Sequence, residues 1–159
     1  MTSNTPAMEN QGKKTIPLKI GINDIKFLHF ELTTRVQELK EPLPYNVYEF
    51  QFEMQSHIAE SEKLMNVQIT ITLYEKQSAE TKIELAKIIT LTSFRVVNFD
   101  EVITKNNNII NIPNQLIAVA AGIAISTSRG MFVMNVKDTI ISNAIIPIIN
   151  PQDFLPKNT

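Results

Sequence analysis

The chain has 159 residues, a formal net charge of −1 and no cysteine. This length is enough to bury a core within one domain, and the near-zero charge removes any general attraction to nucleic acid or anionic lipid. Without cysteine, disulfides, thiol nucleophiles and thiolate metal sites are excluded.

Charged residues make up 19% of the chain, against about 25% in ordinary soluble domains. The deficit points to surface reserved for a subunit or for apolar ligands. The N-terminal stretch 1–15, MTSNTPAMENQGKKT, has no apolar h-region and reads as a disordered leader of a cytoplasmic protein, with 16–159 as a single domain.

Lys19 to Leu32 alternates as a strand whose phase slips between Ile22 and Ile25 and again before Phe30, as at a bulge. Thr33 to Asn46 breaks the pattern. Pro42 and Pro44 forbid regular pairing there, and Leu39, Leu43 and Tyr45 let this long loop lie over an apolar surface. Tyr48, Phe50, Phe52 and Met54 then alternate with Glu49, Gln51, Glu53 and Gln55. Val67, Ile69, Ile71 and Leu73 repeat the pattern after the polar link Ala59 to Lys63, which makes a long antiparallel hairpin. Thr81 to Val97 is a fourth strand, and the adjacent pair Ile88-Ile89 places it centrally, with apolar residues on both faces.

Asn106-Asn107-Asn108 reads as a loop, and Pro113 as the first turn of a helix. Pro113 to Gly130 is apolar on nearly every side. Its centre, Leu116 to Ile125, has no polar side chain, yet ten residues make only about 15 Å of helix, too short for a bilayer. Such a helix belongs inside protein. Gly130 ends or merely loosens it, since Met131 to Val136 can continue the pattern. The last third reads as extended, with one helical turn near Gln152 to Phe154. Four strands followed by one main helix make an α+β chain with an antiparallel sheet and helices on one side.

Candidate chemistry is sparse. His29 and His57 are isolated from further ligands, so no metal site forms by spacing. No G-x-S-x-G or comparable context supports pairing His57 with a serine elsewhere as a nucleophile, and the chain has no glycine-rich phosphate loop. The stripe Tyr48, Phe50, Phe52 lacks the interleaved basic residues that would let it stack bases. Met54, Met65, Met131 and Met134 read as adaptable core fillers. No enzyme is expected.

The order of elements resembles the SecB family of export chaperones. The resemblance spans Lys19 to Leu155 and is carried by Pro113-Asn114-Gln115-Leu116 and Ser126-Thr127-Ser128-Arg129-Gly130, which look like the start and end of that family's long helix. Asp24-Ile25-Lys26-Phe27 in the first strand, and Glu84-Leu85-Ala86-Lys87 with Phe94 in the fourth, add to it. It implies a four-stranded antiparallel sheet with one long helix packed on it, and a homotetramer built as a dimer of dimers. It also implies ATP-independent holding of unfolded or precursor polypeptides for export, without cofactor, metal, nucleic acid or membrane insertion. On this resemblance Leu39, Leu43, Tyr45, Phe50, Phe52 and Met54 are expected to line an apolar client groove, and Leu116, Ala120, Gly122 and Ile123 a subunit interface. Asp24 and Leu85 match positions that dock the SecA motor, whereas Leu28 and Lys87 stand where the family has glutamates, which reverses a contact charge at Lys87. Two alternatives stay open: a partner-specific adaptor or antitoxin-associated chaperone with this fold, and a non-catalytic structural or assembly protein.

Overall fold

A computed structural model describes residues 16–157; the leader expected over 1–15 lies outside them. Strand β1 (Ile20–Leu32) leads through the short helix α1 (Thr34–Glu38) and a 3-10 turn at Tyr45–Val47 into β2 (Tyr48–Ala59). A second 3-10 turn joins β2 to β3 (Leu64–Lys76), and β4 (Lys82–Val96) follows. The sheet order is β1-β4-β3-β2 with every neighbour antiparallel. The fourth strand therefore lies between the first and third, with Ile88 fully buried on one face and Ile89 half-buried on the other.

The phase slips of β1 are two bulges, between Ile22 and Asp24 and between Phe27 and His29. Each inserts one unpaired residue and turns the following side chains to the other face. Their effect is to hold Ile22, Ile25, Phe27 and Phe30 opposite Phe94, Thr92, Thr90 and Ile88, the row of β4 that is buried beneath the main helix. β2 and β3 pair without interruption from Tyr48↔Glu75 to Ala59↔Leu64, and Lys63 closes their turn in the left-handed region at φ 54°.

After β4 come α2 (Phe99–Val102) and a small hairpin, β5 (Thr104–Asn106) with β6 (Ile109–Asn111). The asparagine run expected as a loop is the turn of this hairpin. Asn107 and Asn108 take φ 49° and 64°, the left-handed pair that a two-residue turn of this hand requires and that asparagine tolerates.

Helix α3 (Asn114–Val136) has 23 residues, about 34 Å, and runs straight through Gly130. The helix is thus long enough to cross a bilayer by length, against the expectation drawn from its ten-residue apolar centre. It lies on the sheet instead, over β3 and β4, with Leu116, Ala120, Ala124, Ser128 and Phe132 fully buried. Ser128 Oγ donates to the Ala124 carbonyl at 2.7 Å and stands 2.5 Å from Thr90 Oγ1, so Thr90 supplies the proton of that second bond. Phe132 lies edge-on between Phe30 of β1 (6.3 Å between ring centres) and Phe50 of β2 (5.7 Å), bridging the two edge strands over the central pair.

The crossover 33–47 carries the chain from one edge of the sheet to the other, and is fastened at its start. Arg35 Nε and Nη2 donate to the two carboxylate oxygens of Glu75 at 2.7 and 3.0 Å. Hydrogen bonding to Arg35 holds the Glu75 carboxyl below its ordinary value, and the same bond raises Arg35.

Replacing Phe132 with Ala removes the aromatic bridge and leaves a cavity. Its expected cost is about 3–5 kcal/mol, read from urea unfolding. Glu75→Gln is expected to cost about 1.5–3 kcal/mol at neutral pH, since it removes a charge-assisted pair. Because the folded-state carboxyl is lowered, this contribution is fully present above the unfolded value of about 4.3 and is lost as pH falls below it. The stability gap between wild type and Glu75→Gln should hold from neutrality to about pH 5 and then close; a gap independent of pH would contradict the assignment.

Candidate functional site

Among the described residues no group of three or more His, Cys, Asp or Glu converges to hold a metal. His29 Nε2 lies 3.4 Å from Glu31, with both side chains about half exposed. His57 is exposed on the open face of the sheet, in a polar hollow with Gln55, Asn66 and Gln68. Ser56 and Leu91 also line that hollow. What the fold does leave in solvent is apolar surface.

The first such surface is the β1 edge. Because α3 covers β3 and β4, the apolar row of β1 runs out from under it: Ile22, Ile25 and Phe27 are 52%, 38% and 50% exposed. Leu28, left unpaired by the second bulge, is exposed as well. Large apolar side chains grouped in this way mark an interaction surface more often than chance exposure.

The second surface is a wide, open concavity of about 650 Å³ between the outer face of α3 and the C-terminal segment 139–157. Val133, Met134 and Gly130 form one wall and Ala144, Ile145 and Ile146 the other, with Arg129 at its margin. Val133, Met134 and Ile145 are exposed. The segment is brought close by Gly122, where an added Cβ would meet Pro151 Cγ at 3.2 Å. The helix-propensity cost of Gly122, about 1 kcal/mol, thus serves packing inside the chain.

The residues expected to line a client groove occupy the same side of the sheet. Phe50, Phe52 and Met54 are half-buried along β2, with the rings of Phe50 and Phe52 6.5 Å apart. Leu39 and Leu43 are half-buried on the crossover, and Tyr45 is exposed. The crossover and the C-terminal segment meet at Asn143, whose Nδ2 donates to the Leu43 carbonyl at 2.8 Å while its Oδ1 accepts from the Tyr48 hydroxyl at 2.8 Å.

Other placements differ from expectation. Leu116 and Ala120, expected at a subunit interface, are fully buried in the chain's own core, and Ile123 is half-buried. Leu85, expected on a docking surface, has no exposed area. It is the extra residue of a bulge in β4 opposite Leu73 and Tyr74, and lies inward beside Ala86. Asp24 is exposed at the first bulge of β1, where its Oδ1 accepts from the Ile25 amide at 2.9 Å. The Lys87 ammonium is paired within its own strand to Glu84 at 3.0 Å, which raises its affinity for the proton. Met65 is core filler as read; Met134 is exposed. The concavity walls were missed because an apolar helix with no marked stripe does not declare its outer side; the cluster of isoleucines after Thr139 was the available signal.

No protein-family model matches the chain, and no curated protein matches it. Among solved structures the chain is similar to the SecB-like chaperone Rv1957 of Mycobacterium tuberculosis, solved in complex with a ChAD peptide from the HigA1 antitoxin. The TM-score is 0.53 at 11% identity, over 82% of this chain and 90% of that one. A four-stranded antiparallel sheet, with one long helix from the C-terminal half laid on it, is thus a SecB-like fold, related to that chaperone at the level of architecture.

Proposed function

We propose that the protein is an ATP-independent holdase chaperone, which binds segments of unfolded polypeptide on exposed apolar surface. The observation that carries this reading is a SecB-like fold that leaves Ile22, Ile25 and Phe27 on one flank, and Val133 and Met134 of α3 on the other, open to water. Apolar side chains in solvent gain by covering any extended apolar segment, at roughly 25 cal/mol per Å² buried, without a directional requirement. That non-specificity suits clients of many sequences. Cytoplasmic location, as expected from the sequence, belongs to this reading.

Assembly is part of the proposal. The β1 edge carries unpaired backbone groups along its outer side, and a second copy would pair with them while the apolar face of the strand stays open to clients. A homotetramer built as a dimer of dimers would bury such edges twice over and leave the apolar faces for clients.

The second reading is a chaperone dedicated to one partner, such as an antitoxin, rather than a general factor in export. It is favoured by the neighbour's antitoxin peptide and by the departures at the docking positions. Leu85 is buried, Leu28 is apolar, and Lys87 is engaged by Glu84, so a SecA-type contact would rest on Asp24 with little support around it.

The test is light scattering of a reductively unfolded client, insulin, with the protein added at equimolar amount. The proposed function predicts a delayed and smaller rise in scattering; an unaltered curve contradicts it. Comparable suppression of several unrelated clients supports the general holdase, whereas suppression confined to one cognate partner supports the dedicated chaperone.

A further inference from the structure

We propose that the stretch 144–150 of the C-terminal segment is a built-in competitor, an extended apolar strap seated on the flank of α3 that a client must displace to bind there. The proposal rests on the polypeptide-binding reading above and names how that surface is regulated.

The chemistry of the strap is that of an extended client. The C-terminal segment carries six isoleucines between positions 140 and 149. From Ala144 to Asn150 it has neither helix nor strand, and it turns Ala144, Ile146 and Ile149 toward the core while Ile145 and Ile148 stay 72% and 89% exposed. A chain that reads half in and half out, without regular structure, is what an apolar groove holds when it binds a non-native segment.

The start of the segment is anchored, with Ile141 fully buried in the core; the stretch 144–150 beyond that anchor is held differently from a core element. Among the described residues, no hydrogen bond joins the backbone of 144–150 to another element. Pro147 and Pro151 withhold amide donors, so the strap cannot become a permanent ladder strand. At the start of the segment Thr139 donates from its amide and its hydroxyl to the Val136 carbonyl of α3; beyond that, among the described residues, its polar ties to the rest of the chain are the two bonds of the Asn143 side chain, to the Leu43 carbonyl and from the Tyr48 hydroxyl. At the far end Pro151 packs against Gly122, and Phe154 and Leu155 against the core, so 144–150 is a span between two anchored ends. Side-chain contacts and two exposed hydrogen bonds can be exchanged for those of an incoming segment, which a paired strand does not allow. Since Asn143 grips the crossover, displacement of the strap also frees the Leu43 end of that loop.

A surface that is vacant only part of the time shows a dissociation constant raised by the inverse of the vacant fraction. Loosening the strap should therefore tighten client binding. The experiment uses the full-length chain as wild type, Asn143→Ala and, separately, Ile146→Ser. The probe is reduced, carboxymethylated α-lactalbumin, followed by fluorescence anisotropy. Hydrogen exchange of 144–149 reports strap opening, and circular dichroism confirms folding. The expected result is faster exchange at 144–149 and a dissociation constant lower by about fivefold in each variant, the factor set by one weak interaction. A synthetic peptide of residues 139–157 should compete with the probe. Faster exchange with an unchanged or weaker affinity overturns the proposal while leaving the chaperone reading in place. Absence of probe binding in every form, wild type included, removes both. Should one variant fail to fold, the other carries the same test.

Discussion

The packing of Phe132 between Phe30 and Phe50 is the contact on which the rest of the molecule depends. One ring reaches both edge strands of the sheet, and it can do so only if the helix continues past Gly130 and stays centred over β3 and β4. That centring has a consequence for β1. Its bulges turn Ile22, Ile25 and Phe27 to the same face as the core, yet the helix does not reach them. The apolar edge is therefore exposed because the helix is held centrally, not because the strand is badly patterned. The buried pair of Thr90 and Ser128 adds a directional tie between helix and sheet that apolar packing alone lacks.

Much of this architecture is legible in the amino acids. Alternation along β2 and β3, the two-sided β4 and the phase slips of β1 each encode a backbone feature with period two, and each is present. The turn at Pro151–Phe154 follows from its residues too. What resists reading is the partner of an apolar side chain. Leu116 and Ala120 look the same in sequence whether they face their own sheet or another subunit, and here they face their own sheet. Leu85 is turned inward by a bulge that only strand pairing reveals. Gly130 resembles a stop signal, but its φ is not left-handed, and the burial of Phe132 and Val136 carries the helix through it. Met134 differs from Met65 in environment, not in chemistry.

The motifs that carry the family resemblance acquire physical roles. Pro113 stands at the N-cap of α3, one residue outside the position expected for it. Ser128 is the hydroxyl that binds Thr90, and Gly130 leaves open space on the wall of the concavity. With 11% identity to the SecB-like neighbour, what the two chains share is the fold. A chain that leaves large apolar residues in solvent along two flanks gives up burial that could have stabilised it. The proposed polypeptide binding would supply a reason, and the C-terminal strap, as proposed, would shield the α3 flank between clients.

The central claim is that this apolar surface binds non-native polypeptide, and native mass spectrometry with and without a permanently unfolded chain tests it most directly. A single spectrum reports the assembly and the bound chain together. The account predicts a discrete oligomer that gains the mass of the unfolded chain and does not gain the same protein when folded. An oligomer or monomer whose mass is unchanged by excess unfolded chain would contradict it.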